Sequence, residues 1–377
     1  MSRKINILEL RVVRGSGGGP EKTIFLSAEK IDKDNFSTIV AYIGQKGDRS
    51  FGVTKRAKGK DVQYVELWEN GRFDWQIIRQ LLRIIKEYSI DIVHGHDYKS
   101  DVYGWVLRLF TPVKLISTAH GWIGNDLKER FYNSIDRKIL CRYDKVIAVN
   151  KPIAEALKNS GVNPKIIEII HNAIEAEDYS RDKIGDNVRN ELNISAEDPV
   201  IGFVGRISAE KDLPTLFTAI KQSLTDFPDL KVLIVGDGPL LCEMRENCRQ
   251  TGIEKHVIFL GQRQDTKRIY AAMDIFTLVS KTEGIPNVVL EAMAMNVPVI
   301  STNVGGIGEI ITHNLDGILI QRGDTSSLSH YIKELLTNDN YRNSITNAGR
   351  KRVLEYFDFS VRLKKFEDIY KKLILEK

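Results

Sequence analysis

Glu283-Gly284-Ile285-Pro286-Asn287-Val288-Val289-Leu290-Glu291 follows shortly after the β-rich run Asp274-Ile275-Phe276-Thr277-Leu278-Val279. Pro286 favours a helix start, because its ring presets φ and its missing N–H would have lacked a partner there anyway. Gly284 lets the backbone approach a ligand closely. The free N–H groups of a helix start around Ile285, Pro286, Asn287 and Val288 attract an anion, typically a phosphate. Glu283 and Glu291 flank that start, and Glu291, one to two turns on, can accept hydrogen bonds from sugar hydroxyls. A phosphate cradle between two hydroxyl-reading carboxylates fits a nucleotide-sugar. Strand, ligand-facing turn and helix in this order also form the repeating unit of a parallel α/β sheet.

The same alternation runs outward in both directions. Toward the N-terminus, β-rich runs stand at 5–10, 38–43, 62–67, 91–94, 113–118, 145–149 and 166–170. Helical patterns lie between them, as at 75–88, where Ile77, Ile78, Leu81, Leu82, Ile84 and Ile85 keep helical spacing. A polar stretch over 176–198, with one short helical piece at 188–192, interrupts the series and reads as the linker. A second series follows at 200–204, 231–235, 257–260, 274–279, 297–301 and 317–320. The chain therefore reads as two doubly wound α/β domains, 1–180 and 181–360, with a last amphipathic helix over 361–377.

Composition excludes several classes. Of 377 residues 42% are apolar and 28% charged, too hydrophobic for a disordered chain and enough for two separate cores. No run of about 18 apolar residues is present, so no transmembrane helix is expected. The apolar stretch after Met1-Ser2-Arg3-Lys4 is too short for a signal-peptide core and reads as a first strand. Cys141, Cys242 and Cys248 make neither a C-x-x-C pair nor an even framework, which fits a reducing cytoplasm. Net charge is +5; residues 1–180 hold 29 Lys and Arg against 23 Asp and Glu, the remainder 26 against 27. That bias suits an anionic membrane surface or an acidic acceptor and is too weak for nucleic acid.

Three further segments carry chemistry. Arg14-Gly15-Ser16-Gly17-Gly18-Gly19-Pro20 follows the first strand, a glycine-rich turn suited to phosphate. Pro20 stands where a dinucleotide fingerprint needs its third glycine, which counts against NAD. Gly205-Arg206-Ile207-Ser208-Ala209-Glu210-Lys211 follows the first strand of the second series. There Arg206 offers a planar fork and Lys211 a mobile point charge to one diphosphate. Ser117-Thr118-Ala119-His120-Gly121 places His120 beside a glycine at a strand end, and Val93-His94-Gly95-His96-Asp97 ends another strand. The i, i+2 histidines lack a third ligand in sequence and read as lining the cleft rather than as a metal pair.

Glu-x7-Glu after a strand resembles the donor signature of retaining GT-B glycosyltransferases, the GT4-type family (glycosyl transferases group 1). The resemblance spans nearly the whole chain, with four elements in the expected order. It implies a GT-B fold, two Rossmann-like doubly wound domains facing a cleft, with the C-terminal helix returning onto the first. It implies that the C-terminal domain binds a UDP- or GDP-sugar donor and the N-terminal domain a hydroxyl acceptor, lipid-linked saccharides included. No metal or other cofactor is implied, the nucleotide-sugar being a substrate.

By the same resemblance Gly17 and Gly18 belong to a glycine loop near the donor, and His120 reaches the donor sugar and phosphate. Arg206 and Lys211 hold the diphosphate, Glu283 the transferred sugar and Glu291 the ribose, while Gly261 and Arg263 stand where relatives contact the base through backbone groups. Asn172, in His171-Asn172-Ala173-Ile174, sits at a family turn whose flanking residues differ here. Asp32-Lys33-Asp34 matches the metal motif of the other major glycosyltransferase fold but lies in a polar turn and reads as solvated. The cations and aromatics of 128–143 suit peripheral contact with the inner face of the cell membrane. A nucleotide-sugar epimerase of the same fold, or a binding protein without catalysis, stays open as an alternative.

Overall fold

The computed structural model describes residues 3–14, 19–48, 51–52, 61–71, 73–119, 136–184 and 188–375. The chain divides into two compact units, Met1–His171 with Leu363–Lys377, and Asn172–Arg362.

In the first unit the strands are β1 (Ile5–Val12), β2 (Phe36–Gln45), β3 (Gln63–Glu69), β4 (Ile92–Gly95), β5 (Lys114–Ala119), β6 (Lys145–Ala148) and β7 (Ile167–Ile169). They form one parallel sheet in the order β3-β2-β1-β4-β5-β6-β7. Its helices are α1 (Gly19–Lys30), α2 (Trp75–Glu87), α3 (Tyr98–Arg108) and α4 (Lys151–Asn159). Their starts are set by short polar side chains. Asp74 accepts from Gln76 N, Asn150 accepts from Ile153 N, and Asp97 with Ser100 closes a capping box on α3. Ile77, Ile78, Leu81, Ile84 and Ile85 of α2 are buried, as the helical spacing required.

The second unit repeats the plan with β8 (Val200–Val204), β9 (Lys231–Val235), β10 (Val257–Gly261), β11 (Ile275–Leu278), β12 (Val299–Thr302) and β13 (Ile318–Ile320). Their order is β10-β9-β8-β11-β12-β13, again parallel. Its helices are α5 (Leu213–Ser223), α6 (Leu241–Thr251), α7 (Thr266–Ala272), α8 (Asn287–Ala294), α9 (Ile307–Ile310), α10 (Thr325–Thr337) and α11 (Asp339–Tyr356), while α12 (Phe359–Leu375) belongs from Leu363 onward to the first unit. β8 and β11 are buried at every position, the mark of a sheet covered on both faces.

Two expectations shift. The division falls at His171/Asn172 rather than at 180, because Ile174, Ala176 and Tyr179 pack into the core of the second unit. The piece at 188–192 is a turn, not a helix. Arg189 organises it, donating to Ala272 O, Asp198 O and Asp274 Oδ2 at 3.1, 2.9 and 2.8 Å.

His94 and His96 do not line a surface; both are buried. Glu9 Oε2 meets His96 Nε2 at 2.5 Å and His94 Nδ1 at 3.3 Å, and the other His94 nitrogen meets Thr118 Oγ1 at 2.8 Å. Tyr370 of α12 joins through its hydroxyl, 2.8 Å from His94 Nδ1 and 3.2 Å from Glu9 Oε1. Glu9 is thus the third potential ligand, yet the geometry disfavours chelation. An imidazole lone pair lies in its ring plane, and these two rings are stacked, 4.2 Å apart and 28° from parallel. They form a hydrogen-bonded core that holds α12 to the ends of β1, β4 and β5.

Burial and the neighbouring His94 hold the His96 imidazole down to about 4. Burial pushes the Glu9 carboxyl up, but His94 and His96 outweigh it and hold the carboxyl well below the usual range. Both native pKa values lie below their unfolded ones, so the unfolded chain takes up protons first on acidification. Stability should therefore fall from about pH 6.5 down to 4, by at most about 3 kcal/mol from His96, with further loss below the ordinary glutamate range. Urea midpoints against pH check this: His96→Gln should flatten the upper part of the profile.

Candidate functional site

In an open α/β sheet ligands bind beyond the carboxyl ends of the strands, where the strand order reverses. In the second unit that point lies between β8 and β11. The loop after β8 carries Arg206 and Lys211; the loop after β11 carries Glu283 and leads into α8. Lys281 N donates to Glu210 O at 2.7 Å, tying the two loops together by backbone.

Lys211 Nζ lies 2.6 Å from Glu283 Oε1, and Ser280 Oγ donates to the same oxygen at 2.6 Å. The side chains are 17% and 9% exposed, so water screens this pair weakly. Thr302 Oγ1 donates to Ser280 O at 2.6 Å, and both side chains are buried. Each fixed group thus rests on another that is fixed.

Glycines decide how closely the loops stack. A Cβ on Gly236 would lie 1.9 Å from Gly205 O, and one on Gly305 would lie 1.8 Å from Glu283 O; both backbones have positive φ. Only glycine tolerates both conditions. Gly306 N also donates to Gly284 O at 3.0 Å. The Gly305-Gly306 turn is therefore a support for the Glu283 backbone.

At α8, Pro286 is the N-cap and Asn287 the first helical residue. Asn172 Nδ2 donates to Ile285 O at 3.1 Å, so the residue whose flanks depart from the family turn still reaches the helix start. Asn287 Oδ1 is buried with no hydrogen-bond partner among the described residues. One turn on, Tyr270 OH donates to Glu291 Oε2 at 2.9 Å, and Tyr179 also bonds this carboxylate. Burial, then the Glu291 charge, push the hydroxyl pKa of Tyr270 and Tyr179 well up, so both remain donors. Sequence reading missed these tyrosines, because neither stands near Glu291 in the chain.

The Arg206 guanidinium is exposed and, among the described residues, makes no hydrogen bond or ion pair, although its charge acts on the Glu210 carboxylate. It lines a hollow of about 860 Å³ with Gly236, Asp237, Gly238, Gln262 and Arg263, a size suited to a small-molecule ligand. Arg263 makes a two-pronged pair with Asp265, 2.7 Å at each prong, and reaches Glu191 at 2.8 Å. Its charge is thus met within the protein, two residues from Gly261, where φ is +64°. The structure thus pairs Lys211 with Glu283, sets Arg206 and Arg263 on one hollow and holds Glu291 separately by tyrosines, all at one sheet edge. Gly17, Gly18 and His120 lie outside the described residues, as do 128–135 of the proposed membrane-facing region.

Two substitutions test this framework. Gly305→Ala should lower stability by roughly 2 kcal/mol or more, through positive φ and the clash with Glu283 O. Tyr270→Phe removes a hydrogen bond to a carboxylate, worth about 1.5–3 kcal/mol. Urea midpoints should fall in both without a change of slope.

The chain matches Glycosyltransferase Family 4 over residues 17–178 and Glycosyl transferases group 1 over residues 185–352. Among curated relatives it is 26% identical over 316 residues to N-acetyl-alpha-D-glucosaminyl L-malate synthase of Bacillus anthracis, covering 82% of each chain. It is 25% identical over 315 residues to the UDP-Gal:alpha-D-GlcNAc-diphosphoundecaprenol alpha-1,3-galactosyltransferase of Escherichia coli, covering 81% of each. Among solved structures, Anabaena Alr3699/HepE in complex with UDP superposes with a TM-score of 0.85 at 19% identity, over 98% of this chain and 100% of that one. Two Rossmann-like sheets, the ordered site elements and these matches together make the chain a GT-B-fold glycosyltransferase, Family 4-type in its N-terminal part and group 1 in its C-terminal part.

Proposed function

We propose that this glycosyltransferase moves a sugar from a nucleoside-diphosphate-sugar, UDP- or GDP-linked, to a hydroxyl acceptor with retention at the anomeric carbon and without a metal ion. The observation that carries this reading is the Lys211–Glu283 pair held beside α8, with the Arg206 guanidinium exposed on the adjoining loop. Two cations and a helix start supply the positive potential that a departing diphosphate needs. The bond from the anomeric carbon to the diphosphate oxygen breaks, leaving an oxocarbenium-like sugar. The acceptor oxygen then attacks from the same face and passes its proton to the leaving phosphate.

Both bonds to Glu283 fall on Oε1, which leaves Oε2 to accept a hydroxyl of the transferred sugar. Glu291, oriented by its tyrosines, takes the ribose hydroxyls; backbone near Gly261 and Arg263 reads the base. Gly17, Gly18 and His120 keep their proposed roles at the donor phosphate and sugar. Solved neighbours bound to UDP and UDP-glucose favour a uridine donor. The Escherichia coli relative, a galactosyltransferase for GlcNAc-diphosphoundecaprenol, favours a saccharide acceptor on a lipid diphosphate, in polysaccharide or glycolipid assembly. On such an acceptor the protein would work at the cytoplasmic membrane face, by peripheral contact of its basic N-terminal half. No described helix is long and apolar enough to cross a membrane.

A thermal-shift panel of UDP- and GDP-sugars identifies the donor, since a ligand at a hundred times its Kd adds about 2.7 kcal/mol. Turnover should persist in EDTA, and the anomeric coupling of the product should match that of the donor. Lys211→Ala and Arg206→Ala should each lower kcat about a hundredfold. Inversion of configuration, or loss of activity in EDTA restored by a divalent cation, would refute the mechanism.

A further inference from the structure

The loop joining β3 to α2 in the first unit holds two exposed aromatic rings that nothing above has used. Phe73 is 39% exposed and Trp75 is 60% exposed. Their centroids lie 5.4 Å apart with the planes at 87°, so they present two perpendicular apolar faces. Exposed rings are often loosely held, but these stand on a rigid mount. Phe73 stacks on Tyr103 at 5.2 Å and 21°. Between the two rings, Asp74 caps α2 through Gln76 N at 2.8 Å, accepts from Asn70 N at 2.9 Å and donates its own N–H to Tyr103 OH at 3.2 Å. Tyr103 OH donates in turn to Glu69 Oε2 at 3.2 Å, and Lys99 pairs with Glu69 and donates to Gly71 O.

A fixed aromatic surface loses little freedom on binding, which is what a preformed recognition surface needs. Its place is also informative. The loop lies at the carboxyl edge of the parallel sheet, the ligand edge in such folds. The buried cation at this edge, Lys99, is paired with Glu69. Asn70, Gln76 and Arg79, close to the rings in the chain, are exposed polar residues. An apolar face with hydrogen-bonding groups at hand matches a pyranose ring, which has an apolar C–H face and a rim of hydroxyls. An acyl or prenyl chain would call for a continuous apolar groove instead.

The geometry points to Phe73 and Trp75 as a stacking platform for a sugar of a saccharide acceptor. This rests on the glycosyltransferase reading above and names the acceptor class. β3 lies two strands from β1, about 10 Å at the usual spacing, and β1 and β4 flank the switch point of this sheet. That reach exceeds one pyranose ring, so the platform holds a sugar beyond the one that carries the reacting hydroxyl. The acceptor is then an oligosaccharide, and the platform reads its length.

The test uses the full chain with octyl glycosides of mono-, di-, tri- and tetrasaccharides built from glucose, galactose and N-acetylglucosamine. Tryptophan fluorescence measures binding, and transfer from the donor found by thermal shift measures KM and kcat. Longer glycosides should bind more tightly to the wild type, and Trp75→Phe should remove most of the fluorescence change. Trp75→Ala and Phe73→Ala should raise KM at least tenfold for tri- and tetrasaccharides, leave monosaccharide KM within twofold, and leave kcat and slow donor hydrolysis by water unchanged. Equal losses on short and long acceptors, unchanged KM on long ones, or no Trp75-dependent signal with any glycoside would overturn the platform. A wild type that neither transfers nor hydrolyses sugar from any nucleoside-diphosphate-sugar would overturn the underlying reading instead.

Discussion

The candidate site depends on backbone approaching backbone. Where a parallel sheet ends, its loops must stack on one another or leave peptide groups unpaired. In the second unit they stack. Gly236 lies against Gly205, and Gly305 against Glu283, at distances no side chain would allow. Gly205 N donates to Val235 O at 2.9 Å and Ile207 N to Asp237 O at 2.9 Å, so the strand pairing runs on past the strands into the loops. Arg206 and Glu283 are carried on backbone that has nowhere else to go.

Electrostatics are arranged on that frame before any ligand arrives. Glu283 already faces Lys211, Glu291 already faces two tyrosine hydroxyls, and Arg263 is already neutralised. Among the described residues the Arg206 guanidinium alone of these cations is exposed without a hydrogen bond or ion pair. A site whose charges are held by protein dipoles needs little reorganisation when charge develops on a ligand, which is where electrostatic catalysis gains most. The proposed diphosphate would meet the exposed Arg206 guanidinium and the Lys211 ammonium beside Glu283.

The two sheets share a topology and differ in what fills them. Beneath the carboxyl edge of the first sheet lies a buried cluster of Glu9, His94, His96 and Tyr370, and along its rim stand fixed aromatic rings. The second sheet places cations, carboxylates and a helix start at the equivalent edge. One fold thus carries two different sets of side chains at the same edge, because strand order fixes where that edge lies and side chains alone decide its chemistry.

The sequence by itself determined the alternation of strands and helices, and nearly every strand was legible, because buried parallel strands read as short apolar runs. It also showed that Arg206, Lys211, Glu283 and Glu291 belong to one domain, since each follows a strand of one series. It misplaced the boundary at 180, where a polar stretch reads as linker while Ile174, Ala176 and Tyr179 pack into the second core. It took His94 and His96 as surface groups, because histidine carries no mark of burial and Glu9 lies 85 positions before His94 and 87 before His96. Only the tertiary structure decided that Lys211 holds Glu283, that Tyr270 and Tyr179 hold Glu291, and that Gly305 supports the Glu283 backbone. Those contacts join residues far apart in the chain, and hydrophobic periodicity records which face of an element is buried but never which partner buries it.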